Sequence, residues 1–191
     1  MCSSDLTAED RERYQTVYAR PPGSIAAPTA GLHFTPDVLE ALRLRGVEIR
    51  ELTLHVGPGT FQPVKTETFE DHVVAPERAV ILPDVADGVN RARAEGRRVI
   101  AVGTTTTRAL ESAAGADGRV RVLDAAAALT ITPGYRMRVV NGLVTNFHLP
   151  RSSLRALVAA LAGRELVLKA YAHAVRAGYR FYSYGDATLI L

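Results

Sequence analysis

Apolar residues along the chain fall into short blocks that alternate between helical and strand spacing. Thr35-Pro36 is typical of a helix start, Pro83 begins the next block, and Gly46 follows the first. The predicted helices cover 35–46, 83–96, 152–161 and 165–177, with a further helical opening at Thr7. Strands are predicted over 47–56, 97–103, 119–124, 129–133 and 139–147, and residues 179–191 form an extended aromatic stretch, a loop and an apolar end.

This alternation of helices and strands predicts an α/β fold with a mostly parallel sheet flanked by helices. Val38, Leu39 and Leu42 form the apolar stripe of the first of these helices. The sequence contains no repeat, low-complexity tract or flexible linker, so one domain over 1–191 is the simplest expectation. Residues 1–13 are taken as an irregular or non-native beginning.

Composition excludes several classes of protein. No apolar run reaches the roughly 18–20 residues that span a bilayer, and the first residues lack the pattern of a signal peptide. The single cysteine, Cys2, excludes an internal disulfide, and the five histidines show no metal-ligand spacing. We therefore expect a cytoplasmic protein without a metal site.

The net charge adds little to the prediction of function. The formal net charge is +3, and Lys65 and Lys169 are the only lysines, so the basic residues are nearly all arginine. A GC-rich coding sequence explains this bias as well as selection for phosphate contact does, although the arginine fork suits phosphates and stacked bases. The charge permits RNA binding but does not require it.

Two polar islands lie in the first third of the chain. In APTAGLHFT, His33, Phe34 and Thr35 stand where a loop becomes a helix, so backbone N–H groups there could hold an anion. The alternative is that Thr35 only caps the helix. In LHVGPGTF, His55 ends a strand and Gly57 and Gly59 allow close backbone approach, although an ordinary turn would have the same pattern.

A third island, VGTTTTRALES, joins a strand to a helix. Exposed N–H groups, hydroxyls and a helix N-terminus are suited to a phosphate, a carboxylate or a ribose. Arg108 and Glu111 fall in the first turns of that helix. The segment matches neither a Walker A loop nor a GxGxxG fingerprint.

The fourth island, TNFHLPRSSL, places Asn146 and His148 at a strand end, where open α/β sheets commonly bind ligands. Asp186, in SYGDA, is a candidate acid–base or ribose-binding carboxylate, with a plain Gly-Asp turn as the alternative. No Ser-His-Asp order or nucleophile elbow supports hydrolase chemistry.

Taken in order, AAPTAGLHFT, LTLHVGPGTF, VGTTTTRALES, VTNFHLPRSSL, LAGREL and GYRFYSYGDATLIL resemble the motifs of S-adenosylmethionine:tRNA ribosyltransferase-isomerases. The resemblance runs from about Tyr14 to Leu191. It implies the larger part of an α/β barrel-like domain, whereas the family's N-terminal region, with its inserted β-barrel, has no counterpart in this sequence. MCSSDL is not a beginning associated with the family and favours a truncated or mis-assembled reading frame.

The resemblance implies an enzyme of queuosine biosynthesis. The family transfers the ribosyl part of S-adenosylmethionine to 7-aminomethyl-7-deazaguanine at the wobble position of tRNAs with a GUN anticodon. Isomerisation gives epoxyqueuosine and releases adenine and methionine. No metal or redox cofactor is implied, since S-adenosylmethionine is consumed as the ribosyl donor, and family members are expected to be monomeric.

The resemblance also implies roles for individual residues. Proton removal from C5′ and assistance to the departing adenine suit histidine, whose ordinary pKa of about 6.5 lies near working pH. The acid–base candidates, in no order, are His33, His55 and His148. Candidates for the donor's carboxylate or a tRNA phosphate are Thr104, Thr105 and Arg108, and candidates for orienting the ribose or the base are Asn146 and Asp186. Aromatic candidates for stacking, each with a core position as the alternative, are Phe34, Phe61, Phe147 and Tyr184. The remaining substrate-binding candidates are Thr35, Gly57, Gly59, Thr60 and Glu111.

Three alternatives stay open at this point. The chain could be a truncated, non-catalytic RNA- or ligand-binding remnant of the enzyme, or a fragment of a broken gene. The third alternative is an unrelated α/β nucleotide-binding enzyme that uses the GTTTTR loop. The other five motifs argue against it.

Overall fold

The structure, a computed structural model, describes residues 13–57, 66 and 72–191. A short 3₁₀ helix covers Thr29–His33. The α-helices are α1 Pro36–Leu44, α2 Pro83–Ala94, α3 Thr104–Ala113, α4 Ser153–Ala162 and α5 Arg164–Arg176. The strands are β1 Thr53–His55, β2 Glu77–Ile81, β3 Ile100–Val102, β4 Leu123–Ala127, β5 Gly142–Asn146 and β6 Ala187–Ile190.

The described strands form two sheets of three strands each. The first has the order β1-β2-β4, and both of its pairings are antiparallel. The second has the order β3-β5-β6, in which β3 and β5 are parallel and β5 and β6 antiparallel. The α/β class is confirmed, but the expectation of a mostly parallel sheet is wrong. The spacing of strands along a sequence does not specify which strands pair in a sheet, or in which direction.

The predicted helices agree well with the structure. Thr35 caps α1 by accepting a hydrogen bond from the N–H of Val38 at 3.3 Å, and Gly46 adopts φ 76° just past its end. Ser152 caps α4 in the same way through the N–H of Leu154. The predicted stripe of α1 is the exception, because no residue of this helix is buried and Val38 is 41% exposed.

The strands agree less well. Only three residues of the predicted strand 47–56 pair, and 129–133 is not a strand. Strand β4 overlaps the predicted strand 119–124 only at Leu123 and Asp124, and its alanine-rich remainder also pairs with β2. Small side chains explain this, because Ala79 and Ala127 pack with Ala109 of α3 and let helix and sheet approach closely. The predicted opening helix at Thr7 lies largely outside the described residues, and 14–19 form bends and turns.

Helix α3 contacts strands of both sheets and so lies between them. The main apolar core extends from there to α4 and α5, with its most buried side chains at Ile81, Leu143, Leu157, Val139 and Val158. This core fixes the carboxyl ends of β3 and β5 relative to the start of α3. Among the described helices, none is long and apolar enough to cross a bilayer.

Candidate functional site

A cavity of about 300 Å³ opens where β3 and β5 end. All four polar islands contribute to its lining, through residues 27–30, Val56, 103–106 and most of 145–154, and the turn at 182–183 completes the described wall. Of the residues predicted for the site, Thr104, Thr105, Asn146 and His148 line this cavity. Ligands of open α/β sheets commonly bind at such strand ends.

Gly103 connects the parallel strands to the helix at the floor of the cavity. Its N–H donates to the carbonyl of Val144 at 2.8 Å, which continues the β3–β5 pairing by one residue. Its φ of 93° is a conformation that favours glycine, and this turn lets α3 begin at once with Thr104. The helix therefore presents its first N–H groups to the cavity.

Asn146 holds three segments together around the site. Its amide nitrogen donates to the carbonyl of Gly185 at 3.2 Å and lies 3.2 Å from Nε2 of His33. Its amide oxygen accepts from the hydroxyl of Thr29 at 3.2 Å. A carbonyl can only accept, so Gly185 fixes the amide orientation and His33 must accept through Nε2. In this contact Nε2 of His33 is the acceptor.

His148 lies half-buried in the wall of the cavity. Its Nε2 shares a hydrogen bond with the hydroxyl of Thr145 at 2.9 Å, and its backbone N–H donates to the hydroxyl of Tyr171 at 3.1 Å. Burial lowers the pKa of His148 to about 4. At neutral pH the ring is therefore uncharged and offers one donor and one acceptor.

The other two acid–base candidates lie elsewhere. His33 is exposed and reaches the site through Asn146, without lining the cavity. His55 lies beside Gly23 and close enough to Asp124 to lower the pKa of that carboxyl, after the larger effect of Arg78. The next residue, Val56, is the one that lines the cavity, as expected when successive strand residues point to opposite faces.

Most other candidates of the first two islands also lie away from the cavity. Thr35 acts as the cap of α1, and Phe34 and Gly57 are half-buried outside the lining. Gly59, Thr60 and Phe61 lie outside the described residues, so the structure says nothing of them.

The structure does not bring Arg108 to the cavity. Its guanidinium is 3.2 Å from the carboxylate of Glu77, and the side chains of this pair are each 3% exposed. The same group donates to the carbonyls of Leu129, Ala75 and Ala127. Burial lowers the pKa of Arg108, and the charge of Glu77 opposes that effect. Arg108 therefore joins α3 to the first sheet.

Glu111 also has a structural position, with 1% exposure. One carboxylate oxygen accepts from the N–H groups of Val139 and Val140, and the other accepts from Arg138 N–H and the Tyr135 hydroxyl, all within 3.0 Å. Burial, and then the nearby Glu111 carboxylate, raises the pKa of Tyr135 to about 12. Glu111 thus fixes the segment that leads into β5.

The last candidates belong to the packing around the 180–186 turn. Phe147 is buried against the rings of Tyr171, Tyr179 and Phe181, with centroids 5.2–5.6 Å apart. Tyr184 packs on Tyr14, at 5.4 Å. The carboxylate of Asp186 accepts from the N–H of Arg180 at 2.7 Å. None of these three candidates lines the cavity.

The sequence prediction missed several residues of the cavity wall. The polar ones among them are Thr29, Thr106, Thr145, Arg151, Ser152, Tyr182 and Ser183. Arg151 and Tyr182 have positive φ values of 56° and 75°, which are uncommon for residues other than glycine. The sequence PRSS could have indicated Arg151. This residue stands between Pro150 and the helix cap Ser152, and such a position lies beside the N-terminus of the next helix.

Comparisons with known proteins identify the family of this chain. The family model described as "Queuosine biosynthesis protein" matches residues 2–190. A relative from Thermus thermophilus, named S-adenosylmethionine:tRNA ribosyltransferase-isomerase, is 62% identical over 180 residues, which is 94% of this chain and 52% of the relative. A relative of the same name from Desulfitobacterium hafniense is 56% identical over 183 residues, 96% of this chain and 54% of the relative.

A crystal structure described as S-adenosylmethionine tRNA ribosyltransferase from Thermotoga maritima superposes with a TM-score of 0.66 at 40% identity. The matched region covers 85% of this chain and 51% of the Thermotoga maritima chain. The fold and the cavity define an α/β protein with a cavity at its strand ends. More specifically, the chain belongs to the queuosine biosynthesis protein family. It spans about half the length of the curated relatives it matches.

Proposed function

We propose that this chain carries the donor-binding and acid–base part of an S-adenosylmethionine:tRNA ribosyltransferase-isomerase. The observation that carries the proposal is the convergence of four motif segments on one cavity at the strand ends, through 27–30, Val56, 103–106 and most of 145–154. The names of the relatives supply the reaction. The substrates are S-adenosylmethionine and a tRNA with a GUN anticodon bearing 7-aminomethyl-7-deazaguanine at the wobble position.

The cavity has the size and chemistry of a site for part of a nucleoside. Its volume of about 300 Å³ is at the lower end of small-molecule sites. Hydroxyl and amide groups of Thr104, Thr105 and Asn146 lie among apolar walls, which suits ribose and a polar amino-acid arm. The reaction needs no metal or redox cofactor, because the sulfonium of the donor already activates C5′ and its leaving group.

His148 is the acid–base candidate that the cavity favours. As a neutral ring at pH 7, it has a lone pair to accept a proton and an N–H to donate. Its low pKa makes it a weak base, so its main contribution would be a hydrogen bond to the leaving adenine or to the ribose. His33, held by Asn146 at the edge of the site, remains a second candidate.

The test is a turnover assay of the chain with S-adenosylmethionine and an anticodon stem-loop that carries the modified base. Adenine release and ribosyl incorporation are followed together. Production of both at a matched rate supports the proposal. A chain that is folded by circular dichroism but yields neither product would be a non-catalytic remnant.

Single variants at the three histidines sharpen the assay. Alanine at the acid–base group lowers the rate by about 10²–10⁴. The expected order of loss is His148→Ala, then His33→Ala, with His55→Ala having least effect because it lies away from the cavity. Rates within tenfold of the parent for all three would refute the acid–base assignment.

A further inference from the structure

Helix α3 begins in the cavity without a side-chain cap. Gly103 occupies the N-cap position, and the N–H groups of Thr104, Thr105 and Thr106 have no backbone acceptor in the described part of the chain. Four orphan N–H groups and the helix dipole give such an end a partial positive charge. The helix has ten residues, long enough for this dipole to be developed.

An unpartnered hydroxyl on a largely buried residue points to a ligand at the same place. Thr104 is only 6% exposed, yet it lines the cavity. Within the described residues its hydroxyl has no hydrogen-bond partner. By contrast, the hydroxyl of Thr107, one turn further on, donates to the carbonyl of Gly103. The Thr104 hydroxyl lies in the cavity lining and makes no hydrogen bond within the described residues, so it is available for a bound group.

The charge of the cavity selects the sign of that group. Arg151 lines the wall, and in the described part of the chain its guanidinium has no ion pair. No carboxylate is found among the described lining residues, and His148 is neutral at pH 7. Arg151 also has a φ of 56°, a strained backbone of the kind that is retained at functional sites.

We propose that the start of α3, the Thr104 hydroxyl and Arg151 form an oxyanion subsite that binds the carboxylate of the donor's methionine arm. Building on the proposed function, this gives the donor a direction. The amino-acid arm lies against α3 and Arg151, and the ribose lies towards Asn146 and His148. The arginine that neutralises the carboxylate is thus Arg151 and not Arg108, whose donors are used inside the fold.

The same chemistry would also accept a phosphate of the tRNA backbone, and the experiment separates the two sources. The ¹⁵N-labelled chain is titrated with S-adenosylmethionine, with its decarboxylated analogue and with the anticodon stem-loop. Amide shifts of Thr104–Thr106 report on the subsite, and the titrations give affinities. The variants are Thr104→Val and Arg151→Met, with Thr132→Val and Arg164→Met as controls outside the cavity.

We expect S-adenosylmethionine to shift these three amides and to bind about tenfold more weakly to Thr104→Val and to Arg151→Met, the loss typical of one charge-assisted hydrogen bond. The decarboxylated analogue should bind the parent at least about tenfold more weakly and be insensitive to both variants. Both controls should match the parent. Affinities within twofold across all variants, in a chain that still binds the donor, overturn the subsite and leave the proposed function standing.

Two further results would overturn the proposed function of this chain. If the stem-loop shifts the three amides and depends on both variants while S-adenosylmethionine does not bind, the oxyanion subsite holds a phosphate. The donor assignment, and with it the proposed function of this chain, then fails. If neither compound moves the three amides or binds, both the subsite and the proposed function are overturned for this chain.

Discussion

The amide nitrogen of Asn146 lies 3.2 Å from Nε2 of His33, and the carbonyl of Gly185 fixes the orientation of that amide. Asn146 is 3% exposed, so the three hydrogen bonds it makes are shielded from water. Through them, the end of β5 is tied both to the 3₁₀ helix and to the turn that precedes β6. One strand-end side chain therefore sets the relative positions of two cavity walls.

Asn146→Asp tests this relationship. The substitution places a carboxylate oxygen against the Gly185 carbonyl, so we expect a loss of about 2–4 kcal/mol in the free energy of unfolding. Urea denaturation followed by circular dichroism measures it. Asn141→Asp is the matched control, because Asn141 uses its amide oxygen to accept from Val99 N–H, and aspartate keeps that acceptor. Equal losses at the two positions would show that the amide orientation of Asn146 does not matter.

Stability should depend on pH through His148. Its pKa of about 4 in the folded chain lies below the ordinary value of about 6.5, so the unfolded chain binds more protons between these values. This stabilisation is full above about pH 6.5 and is lost as pH falls towards 4. Between pH 7 and 5 the His148 contribution should decrease by about 2 kcal/mol.

The measurement compares urea unfolding of the parent and of His148→Gln at the two pH values. Glutamine does not titrate, so the difference between the two pH dependences isolates His148 from the carboxylates. Parallel curves would mean that His148 has the same pKa in both states.

Glu111→Gln should be strongly destabilising. Both carboxylate oxygens accept two hydrogen bonds each, and a glutamine NH₂ would face two donors in place of one of them. We expect a loss of about 3–5 kcal/mol, since buried donors lose a charged acceptor. Thermal and urea unfolding should show it, whereas Glu165→Gln, at a side chain 88% exposed, stays within about 0.5 kcal/mol. A small loss at Glu111 would contradict its buried hydrogen-bonding position.

The Arg108–Glu77 pair distinguishes a structural arginine from a substrate-binding one. Removing one partner of a buried pair leaves an uncompensated charge, so Arg108→Met should cost about 3–5 kcal/mol. The double variant Arg108→Met/Glu77→Leu should lose less than the sum of its two single variants. Arg78→Met, at the exposed Arg78–Asp124 pair, should cost under about 1 kcal/mol.

The affinity for S-adenosylmethionine provides the second test of whether Arg108 is structural or substrate-binding. If Arg108 bound the donor, Arg108→Met would weaken S-adenosylmethionine binding even at temperatures where the variant is fully folded. We expect unchanged affinity there, measured by calorimetry, because the guanidinium is enclosed by Glu77 and three carbonyls.

The sequence by itself determined the helices, the α/β class and the family. Helix ends are local features, so Thr35, Pro83 and Ser152 were enough to place them, and the ordered motifs identified the family without any contact being known. It also located the cavity approximately, because Thr104, Asn146 and His148 are polar residues at strand ends.

Only the tertiary structure decided which polar residues reach the cavity. Arg108 and Glu111 are polar residues on α3, one and two turns from its start, yet their side chains are buried towards β2 and the 135–140 segment. The PRSS sequence indicates only that Arg151 lies beside a helix N-terminus, and its place in the cavity wall depends on how β5 meets α4. Strand pairing was equally undetermined, since hydrogen bonds between β2 and β4 join residues about 46 positions apart. Local propensity reaches only a few residues along the chain, whereas these choices depend on packing between distant segments.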